Sequence, residues 1–226
     1  MRIVAISDIH GYFSQVTKRL PEADTLIFAG DFSGAGYLHE AQEFASWLQE
    51  ISYLYKYMII CGGNHDWSLL KQGVAARKYI EAVGAIYLEN KEVVLDGIKF
   101  WGSPASREFC NWAFNYTEEQ LEIIWNTIPD DVNVLITHSM PYGILDTVIG
   151  QEEREGEIKL VERIKQLKQL KLYIGGHLHQ DGGRSLFKDG VTYINASVCD
   201  EYYKPIQGPV VVQMDDQTKE VILIEE

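Results

Sequence analysis

Five times along this 226-residue chain, a short apolar run stops abruptly at side chains that carry chemistry. Residues 2–6 lead to Asp8 and His10, residues 24–29 to Asp31, and residues 57–61 to Asn64, His65 and Asp66. Residues 132–136 lead to His138, and residues 171–174 to His177 and His179. Short runs rich in β-branched residues and bounded by Gly and polar residues are buried strands. In open α/β sheets the carboxyl ends of strands are where ligands bind. The pattern therefore asks for an α/β fold in which several strand ends meet at one place.

Each set has an ordinary explanation of its own. Asp8 can cap the following segment, Asp31 can be a turn residue, and residues 63–66 can form a glycine-started turn with Asn and Asp in their usual roles. A single histidine after a strand is more often a hydrogen-bonded loop residue than a ligand. Five such coincidences at five equivalent positions, taking five of the six histidines, are better explained by one shared cause. His39 is left outside the set and is read as structural or solvated.

The donor types define that cause. Carboxylates, imidazoles and one amide oxygen, with no thiolate, suit borderline divalent metals such as Mn, Fe, Ni, Co or Zn. There are too many donors for one tetrahedral zinc and about enough for two ions that share a carboxylate.

Between the strands the spacing predicts helices over 14–20, 37–55, 72–83, from Thr117 to about Asn126, and over 157–170. Thr117 with Gln120 three residues on is a capping-box signature. Further strands are expected at 85–88, 191–195, 210–214 and 221–224. Asp96-Gly97 between two apolar runs predicts a hairpin, which brings antiparallel pairing into an otherwise crossover topology. The irregular aromatic stretch 103–116 offers Arg107 and Asn111 as substrate contacts. Nothing divides the chain, so 1–226 reads as one domain.

A net charge of −13 disfavours long nucleic acid, which is held by Lys and Arg neutralising phosphates. A small anion approaching bound cations is still compatible with it. No apolar stretch reaches the roughly 20 residues needed to cross a bilayer, and no leader precedes the first strand, so no membrane role and a cytoplasmic location are expected. Cys61, Cys110 and Cys199 match no disulfide or CxxC pattern and are expected to be buried free thiols.

The ordered series Asp8-Ile9-His10, Gly30-Asp31, Gly63-Asn64-His65-Asp66, His138 and Gly176-His177-Leu178-His179 resembles the calcineurin-like metallophosphoesterases. The stretches 30–36, 103–116 and 193–199 look most like the branch of metallophosphoesterase-domain proteins with cyclic-nucleotide phosphodiesterase activity. The resemblance implies a four-layer α/β/β/α sandwich with mixed sheets and two divalent ions, Mn favoured. Asp8, His10, Asp31 and His179 would hold one ion, and Asp31, Asn64, His138 and His177 the other. His65 would sit near the leaving-group oxygen, with Asp66 orienting its ring. Met140 stands where the family usually shows a proline.

Two clustered cations can supply hydroxide at neutral pH and clamp phosphoryl oxygens during in-line displacement. A phosphodiesterase acting on small, including cyclic-nucleotide, diesters is the expectation. Its rivals are a phosphomonoesterase or nuclease of the same fold and a metal-binding interaction module without turnover. His65 argues against the last, because a scaffold needs no general acid.

Overall fold

In the computed structural model, which describes residues 1–148 and 154–224, the chain first alternates strand and helix. β1 (Arg2–Ile6), α1 (Phe13–Thr17), β2 (Ala23–Ala29), α2 (Leu38–Ile51), β3 (Tyr55–Cys61), α3 (Trp67–Lys71), α4 (Gly73–Ala82) and β4 (Ile86–Leu88) follow one another. The hairpin at Asp96-Gly97 then joins β5 (Lys91–Leu95) to β6 (Ile98–Ser103) as the turn residues predict. After it come β7 (Ser106–Arg107), β8 (Asn115–Tyr116), α5 (Glu118–Trp125), β9 (Val134–Thr137), α6 (Ile158–Ile164) and β10 (Leu172–Gly175). The chain finishes with β11 (Arg184–Lys188), β12 (Val191–Asn195), β13 (Val210–Met214) and β14 (Val221–Ile224).

Two mixed six-stranded sheets result, in the orders β14-β13-β1-β2-β3-β4 and β11-β12-β10-β9-β6-β5. Strand alternation decides how they stack, since successive side chains point to opposite faces. Val4, Ile6, Leu26, Phe28 and Ile60 face a core shared with Phe44, Leu48 and Ile80 of α2 and α4. Their neighbours Ile3, Ala5, Ile27, Ala29 and Ile59 turn the other way and meet Phe100, Val134, Ile136, Leu172 and Ile174 of the second sheet. That sheet's outer residues Trp101, Leu135, Tyr173 and Tyr193 are covered by Leu121, Trp125, Leu160 and Ile164 of α5 and α6. Three cores between four layers are the expected α/β/β/α sandwich.

Thr117 caps α5 as read, its side chain accepting from Gln120 N. Several boundaries move. The segment expected to be helical over 37–55 ends at Ile51 and tightens through a 3₁₀ turn into β3, because Tyr55 already pairs with Ala23. The helix expected over 157–170 stops at Ile164; Gln166 and Leu167 close by bonds to Arg163 and Ile164, three residues back, which still buries Leu167 and Leu170. Four short elements carried no legible signal: α3; β7 and β8, two-residue strands inside the stretch read as irregular; and β11, an edge strand too exposed to show alternation. Cys61 and Cys199 are buried thiols, but Cys110 is exposed, lifted onto a loop tip at φ 51°. Among the described residues no helix is long and apolar enough to cross a membrane.

Candidate metal centre

Parallel pairing sets the carboxyl ends of β1, β2 and β3 side by side in one sheet and those of β9 and β10 side by side in the other. Backbone hydrogen bonds then tie the loops together: Asp8 N–H donates to Gly30 O, Gly176 N–H to His138 O, and Val198 N–H to Ser7 O. Asp8, His10, Asp31 and His177 adopt φ of 52°, 41°, 60° and 69°. Left-handed backbone at a non-glycine residue costs about 1–3 kcal/mol and persists only where its surroundings hold it. Four such residues at one place mark a site whose side-chain directions are enforced.

The loop glycines are there for close approach. A Cβ on Gly63 would overlap the Asp31 carboxylate, and one on Gly176 would overlap Asp8 and Ser7. Both sequence motifs thus need glycine to let one loop lie on another.

The structure gathers all the predicted ligands into adjoining groups. Asp8, His10 and His179 offer atoms that all lie within 4.8 Å of one another; so do His10, Asp31 and His65, and so do Asp31, His138 and His177. Asp31 belongs to two of these groups. Asn64 joins through its Oδ1, 2.7 Å from His138 Nε2.

Four of the histidine rings are oriented in the same way. The Nδ1 atoms of His10, His65, His138 and His179 lie 3.0, 2.8, 3.0 and 2.9 Å from the carbonyl oxygens of Ser33, Gly34, Ala29 and Asp200. A carbonyl only accepts, so each Nδ1 donates and each Nε2 is left for other work, the arrangement by which metal-ligating imidazoles are fixed. His10 Nε2 and His179 Nε2 stand 3.4 Å apart, and Asp8 Oδ1 is 3.4 Å from the latter. Two facing nitrogens beside a carboxylate suit a cation between them, and the donor set fits divalent ions.

Charges inside the centre are strongly coupled. Burial alone would raise the Asp31 and Asp8 carboxyls, but His138 beside Asp31 and His179 beside Asp8 outweigh it and hold both well below the usual range. Burial, aided by His138, pushes His177 down to about 4. His138 goes the other way: burial opposes its charge, yet the Asp31 carboxylate raises it to about 9. The geometry agrees, since His138 Nε2 faces two acceptors, Asn64 Oδ1 and, at 3.3 Å, Asp31 Oδ2.

A divalent ion held by Asp31, Asn64 and His138 would have to displace that proton. Because the folded value lies above the ordinary 6.5, the pairing stabilises the metal-free protein fully below pH 6.5, and the contribution is lost as pH rises through about 9. Metal uptake at about pH 7 should therefore expel a proton. Calorimetric titration in two buffers of different ionisation enthalpy measures this, and uptake without proton release would contradict the pairing.

Asp66 requires a correction. Its carboxylate does not reach the His65 ring, which is held by Gly34 O. Instead it accepts from Asp31 N, Gly63 N, Ser33 N and Ser33 Oγ at 2.7–3.1 Å. Asp66 clips the Gly30-Asp31 loop to the 63–66 loop from beneath, despite burial and the neighbouring Asp31 charge that push its pKa up to about 7. It is a buried organiser of the ligand backbone.

Above the centre opens a cleft of about 650 Å³, with Asp31, Asn64, His65, His177 and His179 at its base. Trp112 stacks on His65 at 4.3 Å between ring centroids. Arg107 lines the cleft as expected, whereas Asn111 is exposed and not on its wall. Tyr203 lay outside the sequence reading. Its ring lies 4.9 Å from His10 and 5.2 Å from His179, on a turn whose Asp200 carbonyl also orients His179. No motif announces it; only the fold returns residues 199–205 to the cleft. The fold likewise brings Ser197 to Asp8, whose Oδ2 accepts from its hydroxyl and from that of the adjacent Ser7.

The Calcineurin-like phosphoesterase family model matches residues 1–181. Metallophosphoesterase domain-containing protein 1 of Homo sapiens is 33% identical over 236 residues, covering 94% of this chain and 71% of that protein. Among solved structures, the phosphopantetheinyl hydrolase of Mycobacterium tuberculosis superposes with a TM-score of 0.59 at 17% identity, over 89% of this chain and 90% of that one. A dimetal phosphatase from Danio rerio superposes at 0.57 and 11%, over 99% and 98%. At such identities the two structures share the fold.

Proposed function

The chain belongs to the calcineurin-like phosphoesterase family, and from that premise we propose a dinuclear metal-dependent hydrolase of small phosphodiesters, cyclic nucleotides among them. One observation carries the reading: Asp31 lies in both the group with His10 and His65 and the group with His138 and His177. This supports Asp31 as the ligand that two ions would share, the first of which would be held also by Asp8, His10 and His179 and the second by Asn64, His138 and His177. Two bound divalent ions would supply an activated water and neutralise the phosphoryl oxygens. Mn is favoured over Fe, Ni, Co and Zn.

The chain's own residues do the rest. His65, its Nδ1 fixed on Gly34 O and its face on Trp112, turns Nε2 to the cleft and, when protonated, gives that proton to the leaving oxygen. Arg107 on the wall draws in the phosphoryl anion. Residues 1–226 are read as one domain, because β13 pairs with β1 and so completes the first sheet.

A substrate panel tests the proposal. Generic monoester, diester and cyclic-nucleotide substrates are assayed after chelation and separate return of Mn, Zn, Ni, Fe and Mg. Activity should vanish with the chelator, return with Mn, and be greatest on diesters. A monoester preference would replace the diester assignment, and no hydrolysis under any metal would leave a binding module.

A further inference from the structure

A second cavity, of about 380 Å³, opens between α6, the turn after it and the β11–β12 turn, and shares no lining residue with the metal cleft. Its floor is apolar, with Ile144, Ile164, Leu167, Leu170 and Val191 all 7% exposed or less. Lys165, Lys168, Lys171 and Lys188 line it as well. Among the described residues none of these four enters an ion pair, in a chain with 33 acidic and 20 basic side chains. The carboxyl end of α6 accounts for Lys165 and Lys168. It does not account for Lys171 or Lys188, which come from other segments.

Tyr193 lines this cavity too. Although the residue as a whole is 3% exposed, its hydroxyl is not among the buried polar atoms that lack a partner, so it opens to the cavity, where a ligand can meet it. An apolar floor with one accessible hydroxyl, ringed by ammonium groups of which, among the described residues, only Lys168 is hydrogen-bonded, to Lys165 O, is complementary to a small molecule with an apolar body and an anionic head. Asp189 is the sole acidic residue on the described lining, so the balance of charge stays positive. The lysines act as point charges without the fork of an arginine, and a singly charged carboxylate is the smallest head that meets them and the Tyr193 hydroxyl together. The volume suits a small molecule.

We propose that this cavity is a second ligand site, binding a medium-chain carboxylate with its tail on the apolar floor and its head between the Tyr193 hydroxyl and the lysines. The claim is independent of the phosphoesterase reading. It is tested by calorimetric titration of the full metal-loaded chain with decanoate, decanol and decylammonium, each below its micellar concentration. Decanoate should bind saturably at one per chain, decanol about tenfold more weakly, and decylammonium not at all. The K171E/K188E double variant should weaken decanoate by about tenfold or more, and Tyr193→Phe by a few-fold. Both should keep the unliganded melting temperature and phosphoesterase turnover, since neither removes a partnered group. Equal binding of decanoate and decanol, unchanged affinity in both variants, or no saturable binding would overturn the proposal.

Discussion

Asp31→Asn should abolish hydrolysis and empty both metal positions, measured as metal per chain by elemental analysis beside turnover. The side chain has two jobs. One oxygen accepts from His65 N at 2.8 Å, and the other lies 3.3 Å from His138 Nε2. An amide can keep the first bond through its oxygen, so the 63–66 loop should stay folded. Its NH₂ then faces the position that a shared cation requires, and one negative charge is gone from both sites. Loss of an outer-shell partner costs about 10–100-fold in metal affinity or activity, and removal of the shared ligand should exceed that. Full activity with normal metal content in this variant would end the paired-ion proposal.

The second large effect is on His65. His65→Ala should retain both ions yet lower turnover on poor leaving groups by about 10²–10⁴, with a much smaller loss on an activated ester whose leaving oxygen needs no proton. The ring's anchoring supports this split. Its Nδ1 is spent on Gly34 O, one face on Trp112, and the backbone N–H that holds Asp31 is kept by any residue at the position. His65 does contribute a nitrogen within reach of His10 and Asp31, so metal content is the deciding control. Equal losses on good and poor leaving groups, or loss of an ion, would remove the proton-donor role.

The candidate site was legible in the sequence where polar side chains follow a strand directly. Asp8, Asp31, His138 and His177 each come one to three residues after a buried run, and local periodicity is enough to place them at strand ends. Asp66 shows where that logic stops. Adjacency to His65 suggested a partnership, but a carboxylate beneath a tight loop is surrounded by backbone N–H groups, and those claim it. Tyr203 and Tyr193 show the same limit. Each belongs to a segment with no motif, and its meaning depends on what the fold lays beside it.

The sequence by itself determined the alternation of strands and helices and the set of strand-end donors, because side-chain period and strand-end polarity are local properties of the chain; the four-layer sandwich was implied only by the family resemblance. Only the tertiary structure decided which carbonyl takes each Nδ1 proton, that Asp66 is claimed by backbone N–H groups, and that four lysines and Tyr193 surround a second cavity. Those depend on distances between segments far apart in the chain, which no local pattern encodes.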